Sequence, residues 1–498
     1  MPAEAKRLPG SQMAPVLIIL ISLGVGGAMA AFGPVVLLGA VGAAGAVLMI
    51  RRPYWGVLLL AATLPLENAA MFGGFTAARL IGIGVATGWL AGKILRNESF
   101  ARVFGSAVTW LGIAFLTLIL SSMFWADNTG AVRVGFVRMV QMVALGIIVL
   151  DVVESWDEVH ALFRVLVVSG IAAAGLTLYD SVAGDATRAG ENIAGINGTA
   201  ELLVTLMPFA FYLLVGEKKL LWRVTGALYI GIGSGAVLGT LSRASMMLLP
   251  VVILIMSIQV LRSGRGRGWL VGGFAVITLA VFSQEDSFAR LQRRIQSIVP
   301  YLTTTVQADA GGLSVRGYHL AVGVAIFRDH PVVGVGYENF GDQFLYKYQF
   351  IVPGGTELWL SRRSPHSSHV GILADLGLVG ISIWLSILAV VITSVWRASR
   401  HPSVRGNQVL STLTFGLLLS LLLQAGPYAF YGPNQKSKLL WVLAGLGVAV
   451  WRLARTVDDD VEGEYYLEED GTWQAAEEPA FEAMGVGNLV PVGQGGSR

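Results

Sequence analysis

Residues 104–124 read FGSAVTWLGIAFLTLILSSMF and carry no charged side chain. A helix needs about 20 mostly apolar residues to cross a hydrocarbon core, so this stretch is predicted to span a membrane. Outward from it, similar runs occur at 14–31, 34–50, 54–66, 79–94, 134–152, 160–180, 200–215, 221–240, 244–261, 268–284, 368–396, 407–425 and 438–455. Because 54–66 is short and some neighbours can merge or turn back, the reading is an all-α polytopic integral membrane protein of about 12–14 transmembrane helices. Composition points the same way: of 498 residues, 54% are hydrophobic and only 13% charged, against roughly 25% charged in soluble domains. The 62 glycines suit close helix packing in lipid. With no cysteine, the chain has neither a disulfide framework nor a thiolate nucleophile.

Orientation follows from the basic residues. Lys6/Arg7, Arg51/Arg52, Lys93/Arg96/Arg102, Lys218/Lys219/Arg223, Arg262/Arg265/Arg267, Arg397/Arg400/Arg405 and Arg452/Arg455 fall in every second connection. The positive-inside rule then predicts both termini in the cytoplasm and the long polar interval 284–368 outside. The connection after 134–152 is the exception, being acidic at Asp151, Glu154, Asp157 and Glu158. Ala28-Met29-Ala30 after an apolar run resembles a signal-peptide cleavage site, although a first span also serves as an uncleaved signal. Four regions are expected: N-terminal transmembrane helices at 1–283, an extracytoplasmic catalytic loop with short helices at 284–367, C-terminal transmembrane helices at 368–455, and a disordered acidic cytoplasmic tail at 456–498.

The long loop concentrates the chemistry, holding or bordering four of the six histidines: His319, His330, His366 and His369. Arg290, Arg293 and Arg294 share one helical face and read as headgroup anchors. GYHLAVGVAIFRDH is predicted to be an amphipathic helix, with Leu320, Val324 and Phe327 at helical spacing, stopped before Pro331. Arg243 lies in GTLSRASMMLL between two apolar runs. An ionisable residue there points to function by default, or else to a snorkelling arginine at a helix end. With Arg316 and Arg188 it offers several guanidinium forks to one anion such as a phosphate or pyrophosphate, while each loop arginine alone reads as a solvated charge. His366 sits at the mouth of a span, where a neutral imidazole can take a proton from a hydroxyl. His366 and His369 are spaced i, i+3, but no third ligand accompanies them and no metal site is predicted. Walker A, dinucleotide-binding and cytosolic DxD motifs are absent, so no nucleotide cofactor and no nucleic-acid partner are expected.

SRA at 242–244, Arg316, FRDHPVVGVGYENF, PHSSHVGILADLGLVG and the upstream RAGENIAGINGTAELLVTLMPFAFYLL together resemble the O-antigen ligase and polymerase superfamily of bacterial membrane glycosyltransferases. Ser367 stands where that family usually has Asn, and Asp375 where it usually has Glu. The resemblance implies a metal-independent, inverting glycosyltransferase in the bacterial cytoplasmic membrane, acting in lipopolysaccharide or other cell-surface polysaccharide biosynthesis. Its donor is a glycan on undecaprenyl pyrophosphate. Its acceptor is the lipid A core for a ligase, another glycan for a polymerase, or a protein hydroxyl. His366, Arg316 and Arg243 are then the expected catalytic residues, and Arg188, Arg243 and Arg316 the substrate-binding ones. The competing class is a secondary transporter of lipid-linked glycan, which predicts ionisable residues near span midpoints and paired broken helices.

Overall fold

The computed structural model describes residues 45–66, 71–72, 75–183, 190, 195–263, 313–351, 365, 367–429, 435–462, 465–467 and 473–475. In chain order the helices are α1 (Pro53–Thr63), α2 (Ala77–Leu95), α3 (Ala101–Phe104), α4 (Ala107–Ser121), α5 (Thr129–Val152), α6 (Trp156–Ala183), α7 (Ile196–Gly216), α8 (Leu220–Thr240), α9 (Arg243–Ser263), α10 (Leu313–Asp329), α11 (Phe340–Tyr346), α12 (Ser368–Arg400), α13 (Pro402–Arg405), α14 (Gln408–Ala425) and α15 (Gln435–Glu462). Among the described residues, strands are confined to two minor antiparallel pairs, β1 (Met71–Phe72) with β2 (Phe75–Thr76), and β3 (Tyr465–Leu467) with β4 (Trp473–Ala475). Among the described residues nine helices are long and apolar enough to cross a membrane, with Pro53–Leu66 and Arg243–Gln259 as shorter apolar helices. The chain is an all-α, multi-pass membrane protein. The predicted spans at 14–31 and 268–284, most of 34–50, and Arg290, Arg293 and Arg294 lie outside the described residues.

The bundle is organised around α7, whose best apolar window is buried all round. A helix that is apolar on every face belongs inside other helices rather than against lipid. Helices α6, α8, α9 and α14 pack against it. Helix α15 crosses α5 where glycines meet: a Cβ on Gly445 would sit 2.2 Å from the Gly146 carbonyl oxygen. That approach is what small residues permit in the absence of a hydrophobic driving force between helices.

The two ends of the bundle differ in charge. At one end the acidic connection after α5 meets the basic one after α2. Lys93 pairs with Asp151 at 3.0 Å, and Arg102 with Glu154. Trp89 donates to Asp151 at 2.7 Å, and Arg452 donates to the Leu150 carbonyl at 2.8 Å. Asp151 and Glu154, two of the four acidic residues that broke the charge pattern, are therefore counterions of the basic connection beside them. Helix α15 continues to Glu462, and β3 and β4 follow within the acidic tail. The opposite end carries the α4–α5 turn, α10 and α11.

Candidate functional site

Within α12 the run ADLGLVG reads as uninterrupted helix, yet Gly377 adopts φ 62° and ψ −157°. That region is open essentially to glycine alone. The break frees backbone groups of α12, and the segment after α10 takes them up. Val335 and Gly336 donate to the carbonyls of Ala374 and Asp375 at 3.2 and 2.8 Å; Leu378 and Val379 donate to those of Pro331 and Val332 at 2.9 and 3.1 Å. Contact is backbone on backbone: a Cβ on Gly334 (φ +65°) would fall 2.3 Å from Asp375 C, and one on Gly377 would fall 2.4 Å from Val332 C. The HPVVGVG and ADLGLVG blocks are thus two halves of one structural unit.

Asp375 locks this unit. Fully buried, its carboxylate accepts from the backbone N–H of Glu338 at 2.7 Å and of Phe340 at 2.8 Å, at the start of α11. Phe340 and Phe344 of α11 then pack with Val322 and Ile326 of α10. The buried face of α10 is His319, Val322 and Ile326, while Leu320 is 52% exposed. The α4–α5 turn clasps the other side. Asn128 donates its N–H to Asn339 Oδ1 at 2.8 Å and its Nδ2 to Asp342 at 2.6 Å; Tyr337 N–H donates to Ser122 Oγ at 3.1 Å. Asp127 accepts from Gln343 at 2.7 Å and Lys347 at 2.9 Å, and these bonds hold its carboxyl below the usual range. Burial pushes the Glu338 carboxyl up, with the charge of Arg138 opposing. The Tyr348 phenol is pushed up to about 12 by burial and its bond to Asp329.

Arg243 opens α9 directly after a tight turn in which Leu241 is left-handed (φ 54°). The arginine is half-buried, whereas Ser242 and Ser245 beside it are buried. The Tyr428 hydroxyl reaches Ser245 Oγ at 3.5 Å. Tyr428 belongs to the turn after α14, and that turn also holds the start of α12. Ser368 N–H donates to the Ala429 carbonyl at 3.0 Å, and His369 Nε2 donates to the Ala425 carbonyl at 2.7 Å. Buried polar groups of α7 and α14 continue inward: Gln424 donates to Thr205 Oγ1, and Ser420 to the Thr205 carbonyl, each at 2.8 Å. Glu201, one helical turn before Thr205, is buried and its charge raises the Tyr428 phenol, after the larger effect of burial.

Of the expected site residues, Arg243 is placed with its side chain. Arg316 is placed by backbone only, in the first turn of α10. Arg188 and His366 lie outside the described residues, though their flanks are anchored. Gly190 accepts from Thr199 Oγ1 of α7 at 2.8 Å, and Ser367 precedes α12 directly. Tyr428 joins the Arg243 turn to the start of α12. Sequence reading missed Glu201 and Tyr428. A carboxylate inside the apolar run 200–215 was a usable signal, since such a charge is expensive in a span. For Tyr428 there was none. Among the described residues no three His, Asp or Glu side chains gather to hold a metal ion.

A family model described as O-Antigen ligase matches residues 228–385. The match runs from within α8 into α12, taking in Arg243, Arg316 and the unit locked by Asp375, while Arg188 and Glu201 precede it. No curated protein matches the chain.

Proposed function

We propose, from the O-antigen ligase family match over residues 228–385, that this chain transfers a glycan from undecaprenyl pyrophosphate to an acceptor hydroxyl on the outer side of the cytoplasmic membrane. A glycosyl donor outside the cytoplasm must bring its own leaving group, and a lipid pyrophosphate does. Arg243 and Arg316, with Arg188, neutralise the charge that grows on the pyrophosphate as its bond to the anomeric carbon breaks. The acceptor oxygen forms the new bond from the opposite face, so the anomeric configuration inverts. His366 takes the acceptor's proton. The unit formed by 331–340 and the broken helix α12 sets the loop over the reacting groups and keeps out water that would hydrolyse the donor.

The observation that carries this reading is the junction of Tyr428 and Ala429 with Ser245 and Ser368. It ties the turn bearing Arg243 to the start of α12, next to His366, two stretches of the matched segment joined by a turn that lies beyond it. Ligase is favoured as the label, with the lipid A core as acceptor; a polymerase and a protein glycosylating enzyme differ in acceptor alone. The test is reconstitution of the full chain in liposomes with undecaprenyl-pyrophosphate-linked glycan and each acceptor in turn. A single product band on lipid A core supports the ligase and a ladder the polymerase; donor consumption without any glycosylated acceptor refutes the transferase.

A further inference from the structure

Arg133 and Arg138 lie inside α5, a helix of 24 residues that qualifies as a membrane span. At 1.5 Å per residue it is about 36 Å long, against a hydrocarbon core of about 30 Å. Counted from Thr129, the two arginines come about 6 and 14 Å along it, so the second backbone position lies below the interface. A guanidinium in a span is costly and as a rule is paired. At the other end of the bundle Arg164, inside the span formed by α6, pairs with Glu217 at 2.6 Å. Yet Arg133 and Arg138 make no hydrogen bond or ion pair with any described residue. Glu338 lies near enough for Arg138 to act on its carboxyl, but the two form no ion pair.

The face between the arginines is apolar and open. Val134 and Val137 are 47% and 52% exposed, and Gln141 is exposed as well. With about 100° between successive residues, these positions fall between Arg133 and Arg138 around the helix. Both long side chains can rise along the helix toward headgroup depth while their stems stay in apolar surroundings. We propose that Arg133 and Arg138 form a binding site for a phosphate-bearing lipid, whose chain lies on the Val134 and Val137 face and whose phosphate pairs with the two guanidinium groups. Planar guanidinium forks suit phosphate oxygens. This site is on the same end of the bundle as the Asp375 unit, but stands independently of the glycan-transfer reading, since either a substrate lipid or a bulk phospholipid carries the same group.

Native mass spectrometry of the detergent-solubilised full chain tests it, with phosphatidylglycerol, a long-chain polyprenyl phosphate and neutral diacylglycerol as probes. Wild type is expected to retain a phosphate lipid over diacylglycerol. In Arg133→Gln/Arg138→Gln the affinity for that lipid falls about tenfold or more, while diacylglycerol is held as before. Arg133→Lys/Arg138→Lys keeps the charge and most of the binding. Preference for polyprenyl phosphate identifies a substrate lipid, and preference for phosphatidylglycerol a bulk one; either supports the site. Equal binding of phosphate lipid by wild type and the glutamine variant overturns it, as does wild type that prefers diacylglycerol. Should the double variant not survive purification, Arg133→Gln alone, at an exposed position, decides: a loss of about threefold supports the site and no loss overturns it.

Discussion

Replacing Gly377 by alanine should uncouple the loop from α12 without disturbing the rest of the bundle. At φ 62° and ψ −157° an alanine pays roughly 1–3 kcal/mol in backbone conformation alone. Its Cβ would also stand 2.4 Å from both the carbonyl carbon and oxygen of Val332 and 2.6 Å from Val333 N. These are backbone atoms, so no rotamer change relieves the clash and the 331–336 segment must move away. Doing so breaks the bonds of Leu378 and Val379 to Pro331 and Val332, each about 0.5–1.5 kcal/mol. The sum, about 2–6 kcal/mol, corresponds to a local opening equilibrium shifted by at least about 30-fold. Hydrogen exchange reads it directly at the amides of Val335 and Gly336, which bond to Ala374 and Asp375 in the intact unit. The control is Gly175→Ala, where a Cβ meets nothing within 4 Å and the greater helix propensity of alanine should leave exchange unchanged or slower. If Gly377→Ala exchanges like Gly175→Ala at these amides, the break in α12 does not hold the loop and the reasoning fails.

Asp375→Ala removes both carboxylate bonds to Glu338 and Phe340 and leaves two buried N–H groups; about 3–6 kcal/mol of loop stability should be lost, read as earlier thermal unfolding and faster exchange in α11. Asp375→Asn should fall between, because one amide oxygen replaces two acceptors. The Glu338 carboxyl is raised by burial, so its contribution to stability is present below the ordinary carboxylate range and is lost as pH rises through its raised value. Glu338→Gln should therefore stabilise the loop at neutral pH, and a wild-type loop equally protected at neutral pH would contradict the assignment. Asp127 has the opposite sign: held low by Lys347 and Gln343, it supports docking of the α4–α5 turn above the ordinary range and loses that support as pH falls through its depressed value. Because the Asp127–Lys347 pair is exposed, high salt should weaken its part of the docking, and exchange at Gln343 that ignores both acid and salt would count against it.

The spans were legible because run length alone identifies them; 104–124 and 221–240 needed no knowledge of partners. Orientation by charge met an exception at Asp151 and Glu154 that only three dimensions explain, since Lys93 and Arg102 stand beside them across the connections. The break at Gly377 was invisible for a different reason. LADLGLVG has the composition of continuous helix, and what opens it is backbone pairing with a segment more than a helix away. Asp375 stood out as an Asp where the resembled family usually has Glu, which does not reveal its partners at the start of α11. Arg243 was found because a charge between apolar runs is conspicuous. The same logic applied to Glu201 and Arg138, which sit within apolar runs, and to Arg133 at the edge of one; none belonged to a recognisable motif. Tyr428 is unremarkable in sequence; its role comes from where the turn after α14 returns.

The central claim is glycan transfer at the site around Arg243, and it is tested most directly by single-turnover transfer in liposomes. Wild type would be compared with Arg243→Ala and His366→Ala at saturating undecaprenyl-pyrophosphate-linked donor, with thermal unfolding confirming that each variant is folded. Loss of charge stabilisation at the leaving group should cost Arg243→Ala about 100–1,000-fold in rate, and removal of the proton acceptor should cost His366→Ala about 100-fold or more. Folded variants that transfer at the wild-type rate would contradict the account.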